Sequence, residues 1–320
     1  MKVQPIYTSK IVKKGLEFAA DNSLLFGATA SFVLSAAVRS PIILLTPHTD
    51  KENKKYACAK SLASSFVNYL TAFAVSMPFA KALKKIDNEP QKFLKQDTIK
   101  MLQSGEKSLA KSRRYSFATQ LFKLGLGFLL AAPKSALTCS LIPSIMSKIS
   151  PKKDKKPQVS FTGAYDNGVS YLAKRVGKLI DSGFVKNMSE KFHNTNFEHH
   201  MMSVTDIFAT GAFMFQTSKS KKIEENRKKP LMYNAAISTG FSIAGSYLLS
   251  KMLDKPTEKF VKKFSEINKN SPKLEKYLEG IKVVKPALIL GGIYYVAIPV
   301  ISTFLADRVD NKNQNYAKKA

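Results

Sequence analysis

Twenty consecutive residues, Ser61–Ala80, pass without a charge. A helix rises about 1.5 Å per residue, so a run of this length covers roughly the 30 Å hydrocarbon core of a bilayer. Lys60 and Lys81 bracket it, where long side chains reach back toward head groups. Two further uncharged runs of twenty follow, Leu231–Ser250 and Ala287–Ala306. Three weaker apolar segments join them. Leu24–Pro47 is interrupted by Arg39 and carries Pro41. Leu121–Ile149 is interrupted by Lys123 and Lys134 and carries Pro133 and Pro143, which suits one kinked span or a re-entrant pair. Met201–Thr217 is short and includes Asp206. The pattern predicts an all-α, polytopic helical membrane protein with about six membrane-embedded segments.

Between the runs lie lysine-rich stretches with helical periodicity. In residues 8–20, Ile11, Val12, Gly15 and Phe18 share a face. In 81–114 the apolar positions are Phe93, Leu94, Ile99, Leu102 and Leu109, with a break expected at Ser104-Gly105. In 169–184, Val169, Leu172, Val176, Leu179 and Ile180 oppose Lys174, Arg175 and Lys178. Basic amphipathic helices of this kind lie at membrane interfaces. Lys174, Arg175 and Lys178, with Lys81, Lys84 and Lys85, are therefore candidates for contact with lipid head groups. Asp50–Lys55 and Lys219–Lys229 read as charged loops.

Residues 151–168 form a Pro-, Gly- and Lys-containing linker that divides the chain. Residues 1–150 make a first three-segment half; 169–320 make an interfacial helix and a second three-segment half. The halves share an order of parts and some local sequence. DKENKK (50–55) resembles EENRKK (224–229), and DNEPQKFLK (87–95) resembles DKPTEKFVK (254–262). An internal duplication is expected. With three crossings in each repeat, the second would insert with opposite orientation, the inverted arrangement common among secondary transporters.

The net charge, 51 − 23 = +28, is shared equally between 1–150 and 151–320. So positive a chain favours an acidic partner, and anionic lipid is the expected one. Only six of the basic residues are arginine, and the aromatics sit in the uncharged runs rather than among the lysines. That argues against nucleic acid, which is read by arginine forks and interleaved aromatics. No uninterrupted apolar run opens the chain, so no cleavable signal peptide is expected.

Cations inside apolar segments are costly and usually face a cavity or a partner. Arg39 and Lys134 are such cations, and Asp206 is the matching anion. These three are the candidates for an anion pathway. Asn68 and Asn234, near the starts of two clean runs, are candidate interhelical hydrogen-bonding groups. His193, His199 and His200 lack metal-site spacing. No Ser/His/Asp set, paired carboxylates or phosphate-binding glycine loop is present, so neither catalysis nor a cofactor is expected. Cys58 and Cys139 read as buried thiols. Function narrows to a transporter- or channel-like protein for a small anionic solute, or a non-catalytic membrane-structuring protein that holds anionic head groups. A mean hydropathy of −0.14 keeps a third reading, a soluble helical protein with a large apolar core.

Overall fold

A computed structural model describes residues 7–317 apart from 22, 107, 150–165, 194, 196 and 253, so most of the expected linker lies outside the described residues. Among those residues the chain is helical and contains no strand. The α-helices in order are α1 (Lys10–Asp21), α2 (Ser23–Leu34), α3 (Ser40–Leu45), α4 (Lys51–Thr71), α5 (Met77–Asn88), α6 (Gln96–Gln103), α7 (Arg113–Ile149), α8 (Asp166–Ile180), α9 (Gly183–Phe192), α10 (Phe197–Lys219), α11 (Glu225–Met252), α12 (Asp254–Ile267), α13 (Leu274–Gly292) and α14 (Ile298–Ala317).

Three of the junctions are not breaks. Five-residue π turns, Ser35–Arg39, Ala72–Ser76 and Ile293–Ala297, carry α2 into α3, α4 into α5 and α13 into α14. Each ends two residues before a proline: Pro41, Pro78 and Pro299. A proline has no N–H to donate, and its ring collides with the carbonyl four residues back. One extra residue in the preceding turn moves that carbonyl aside and keeps the helix continuous. Pro133 and Pro143 lie within α7, which stays α-helical throughout; nothing in the structure explains why they need no such turn. Leu121–Ile149 is thus part of one 37-residue helix rather than a re-entrant pair.

Among the described residues, three continuous helices are long and apolar enough to cross a membrane by length and composition: Phe26–Leu45, Lys51–Asn88 and Arg113–Ile149. Only 17%, 22% and 28% of their most apolar stretches is buried. Leu45 and Leu129 are 76% and 75% exposed.

The chain divides into two compact units: Met1–Tyr69 with Leu137–Lys153 and Thr217–Ala320, and Leu70–Ala136 with Asp154–Gln216. In the first, α11 lies antiparallel to α14: Asn234 meets Ser302 and Thr303, while Ser242 meets Tyr294. α1 packs on α13 around Leu16, Phe264, Tyr277 and Ile281. Gly280 lets the α1 backbone approach so closely that a Cβ there would collide with the Leu16 carbonyl.

In the second unit, α8 packs on α5. Ala173, Val176 and Ile180 share a core with Ala82, Leu83 and Ile86, completed by Ile99, Leu102 and Tyr115. Complete burial of a side chain such as Ile86 or Ile180 is worth about 1.5–3 kcal/mol. The α8 face expected to meet lipid therefore packs largely on protein. Gly177 permits the contact, since a Cβ would strike the Phe93 carbonyl oxygen. The expected break at Ser104-Gly105 is present as two left-handed residues, with φ of 48° and 88°. α7 and α10 run side by side in the same direction. The Phe117 and Phe197 ring centres lie 6.0 Å apart, and eleven residues further along each helix those of Phe128 and Phe208 lie 5.2 Å apart, both pairs tilted.

Candidate functional site

The first unit gathers a polar cluster where α4 and α11 begin. Of the two stretches read as loops, residues 51–55 are the first turn of α4, while 220–224 do form a loop and 225–229 open α11. Asp50 precedes α4 and caps it, accepting from the Asn53 N–H at 2.9 Å. Arg227, in the first turn of α11, donates from one Nη to Asp50 at 2.6 Å and to Asn53 Oδ1 at 2.9 Å. From α14, Asp307 accepts from the Asp50 N–H at 3.3 Å, the Asn53 amide at 2.8 Å and the Asn311 amide at 3.2 Å. Partial burial pushes the Asp50 carboxyl up, but the Asn53 N–H and the Arg227 guanidinium outweigh it and hold the group below the ordinary range. The Arg227 Nε is buried without a partner.

Two lysines close the neighbouring helix ends in the same way. Lys54 Nζ donates to the Thr46 carbonyl just past α3, and Lys228 Nζ donates to the Ser218 carbonyl at the end of α10, each at 3.0 Å. Both satisfy a carbonyl that has no partner within its helix.

A small pocket opens below the cluster, lined among others by Asn53, Tyr56, Arg227, Asn234, Thr303 and Asp307. The helical spacing of its lining matters. Asn53, Tyr56, Ala57 and then Lys60 follow one face of α4, and Arg227, Leu231, Asn234 and then Ser238 follow one face of α11. Asn234 is buried and donates to Ser302 Oγ and Thr303 Oγ1, the bridging expected of it. Asn68, by contrast, is exposed.

Beyond the pocket stands Arg39, the last residue of the first π turn. Its Nη2 donates to Ser238 Oγ at 3.2 Å, and its Nε is buried without a partner. Among the described residues no carboxylate forms an ion pair with Arg39. The Cys139 Sγ meets Thr217 Oγ1 at 3.5 Å. Cys58 and Cys139 are both free and buried.

Comparison with protein-family models, curated proteins and solved structures finds no match to this chain. The site must be read from its own chemistry.

The other sequence candidates fall elsewhere. Lys134 and Asp206 belong to the second unit and Arg39 to the first. In the register set by Phe128 and Phe208, Asp206 stands level with residue 126, about 12 Å along the helix from Lys134. No ion pair joins them among the described residues. Of the head-group candidates, Lys81, Lys84, Lys174, Arg175 and Lys178 are exposed. Lys85 is half-buried and donates to Ser170 Oγ at 2.7 Å, while Arg175 lies over the Tyr171 ring at 5.2 Å. His193 faces the Glu190 carbonyl at 3.0 Å. The His199 side chain lies outside what is described. No group of His, Cys, Asp or Glu among the described residues is placed to hold a metal.

Proposed function

We propose that the chain is a multi-pass membrane protein that moves a small anion across the bilayer. The observation that carries this reading is Arg39. A guanidinium stands inside an apolar helix and donates to Ser238, with its Nε buried and unused and, among the described residues, no carboxylate in an ion pair with it. A charge so placed is expensive, and a passing anion would use what the fold leaves open.

Depth supports the same reading. Ser238 lies eleven residues beyond Arg227, and Lys60 ten beyond Asp50. At about 1.5 Å per residue these are roughly 15–17 Å past the polar cluster, about half the thickness of a hydrocarbon core. If the cluster marks one interface, the cations sit near the midplane, where carriers place their sites.

In this reading α10, α11 and α13–α14 add a second set of embedded segments to the first three, and the halves are duplicates. The matched lysines support the duplication. Aligning DKENKK with EENRKK pairs Lys54 with Lys228, which make equivalent bonds. α4 and α11 begin at one end of the first unit, and α7 and α10 run parallel in the second. These contacts favour repeats of like orientation over inverted ones.

The test is anion flux into proteoliposomes. Arg39→Ala is expected to lower the rate at least tenfold while the protein still inserts and folds. Equal rates in both proteins would remove transport through this site. A second reading, head-group binding without transport, is favoured by one surface: exposed Tyr171 and Leu179 beside exposed Lys174, Arg175 and Lys178 on α8. It predicts no flux in either protein.

A further inference from the structure

We propose that α1 lies in the head-group layer of an anionic leaflet, its Ile11, Gly15 and Phe18 side turned into the lipid and Lys10 and Lys14 bound to lipid phosphates. This rests on the membrane reading and not on transport.

Contacts within the first unit fix the rotation of α1 about its own axis. Val12 and Leu16 pack with Phe264, Tyr277 and Ile281, and Ala19 is fully buried. Glu17 pairs with Lys273 at 2.9 Å, and Lys13 Nζ lies over the Tyr277 ring at 5.9 Å. Just before the helix, the Tyr7 carbonyl accepts from the Asn268 amide at 3.1 Å. The side turned away from these partners carries Ile11, Gly15 and Phe18, spaced i, i+4 and i+7. Ile11 is 84% and Phe18 48% exposed, and a Cβ added at Gly15 would meet nothing within 4 Å. Val12, which the sequence groups with these three, turns inward.

Lys10 and Lys14 border that outward side, and both are exposed. Among the described residues neither forms an ion pair. Because Glu17 is committed to Lys273, the charge that residues 10–20 present outward is positive. Lysine stems run along apolar surface and carry their ammonium groups to a polar layer. An apolar stripe edged by lysines therefore suits a leaflet whose head groups are anionic. A second copy of the chain fits less well. An isologous contact through this face would bring Lys10 and Lys14 toward their own counterparts.

The neighbouring helices set the depth. Phe26, where the first candidate span begins, is five residues after Asp21, the last of α1. α13 gives the same answer from the other side. The α1 backbone crosses it at Gly280, seven residues before the uncharged run Ala287–Ala306. Seven residues rise about 10 Å, so α1 lies just outside the hydrocarbon.

The experiment uses the full chain with Cys58 and Cys139 replaced, reconstituted into phosphatidylcholine vesicles with or without phosphatidylglycerol. A nitroxide at Gly15→Cys, where the fold leaves room, reports its depth through collisions with oxygen and with a water-soluble nickel complex. Nitroxides at Val33→Cys, exposed within the first span, and at Lys221→Cys, exposed in a loop, give the lipid and water references. In anionic vesicles the Gly15 label is expected about 5–10 Å into the leaflet, with at least fivefold less contact with nickel than the Lys221 label. Replacing both Lys10→Gln and Lys14→Gln, or omitting phosphatidylglycerol, is expected to raise that contact at least threefold. Should the Gly15 label disturb the fold, a label at Ile11→Cys reads the same face. A Gly15 label as open to nickel as the Lys221 label, with the Val33 label in hydrocarbon, removes the docking and keeps the membrane reading. Val33 and Gly15 labels both open to nickel remove both. A Gly15 depth unmoved by lipid charge and by the lysine changes would overturn the proposal. Spin–spin broadening between Gly15 labels without dependence on lipid charge would overturn it too, and assign the face to a second copy.

Discussion

Asp50 has three jobs that meet in one residue. Its carboxylate caps α4 and holds Arg227, and its N–H reaches Asp307. Because its folded pKa is depressed, the stability it contributes is complete above the unfolded carboxylate value, about 3.9, and is lost as pH falls through the lower folded value. The wild type should therefore lose more thermal stability than Asp50→Asn between pH 6 and pH 3. Melting curves at the two pH values check this, and parallel losses would refute it. Some of these residues were legible in the sequence and others were not, for a physical reason. Arg39 announces itself as a charge within an apolar stretch. Lys60 reads as the flank of the run beginning at Ser61, because hydropathy marks where charge stops and not where a helix starts. α4 begins at Lys51, so Lys60 lies within the helix and on the face that Asn53 and Tyr56 define. Asp50, Arg227 and Asp307 are drawn together across separations of up to 257 residues, and no local pattern encodes such a meeting.

At the scale of elements, two glycines set how closely helices approach. Gly177 on α8 meets the Phe93 carbonyl, and Gly280 on α13 meets that of Leu16. A main-chain oxygen within a packed segment cannot swing away as a side chain would. Gly177→Ala and Gly280→Ala should each destabilise the protein by about 1–3 kcal/mol through overpacking, despite the better helix propensity of alanine. Thermal unfolding measures it, and an unchanged or raised midpoint would show that these interfaces have slack. Glycine positions such as Gly15 and Gly211 meet nothing within 4 Å, so the sequence alone does not distinguish the two that matter. The helices themselves were more visible. The amphipathic patterns at 8–20 and 169–184 correspond to α1 and α8, and the Ser104-Gly105 break is where α6 ends. What periodicity could not tell was the partner of each apolar face. Val176 and Ile180 fit a lipid surface and a protein surface equally well, and α5 takes them.

For the whole molecule, the proposed membrane environment makes a geometric demand. α7 and α10 lie parallel, as the pairs Phe117–Phe197 and Phe128–Phe208 show. With Cys58 and Cys139 replaced, single cysteines at Arg113 and Thr195, both exposed near the starts of these helices, should react with a membrane-impermeant thiol reagent from the same side. Reaction from opposite sides would refute the parallel pair and restore an inverted repeat. A consequence follows for the stretch in between. In the proposed bilayer, neighbours that enter by the same door oblige the chain joining them to go back out. The described helices between them, α8 and α9, hold 15 and 10 residues, too few to make that crossing as one greasy rod through about 30 Å. Such a return would have to be sheltered by protein or water along its way.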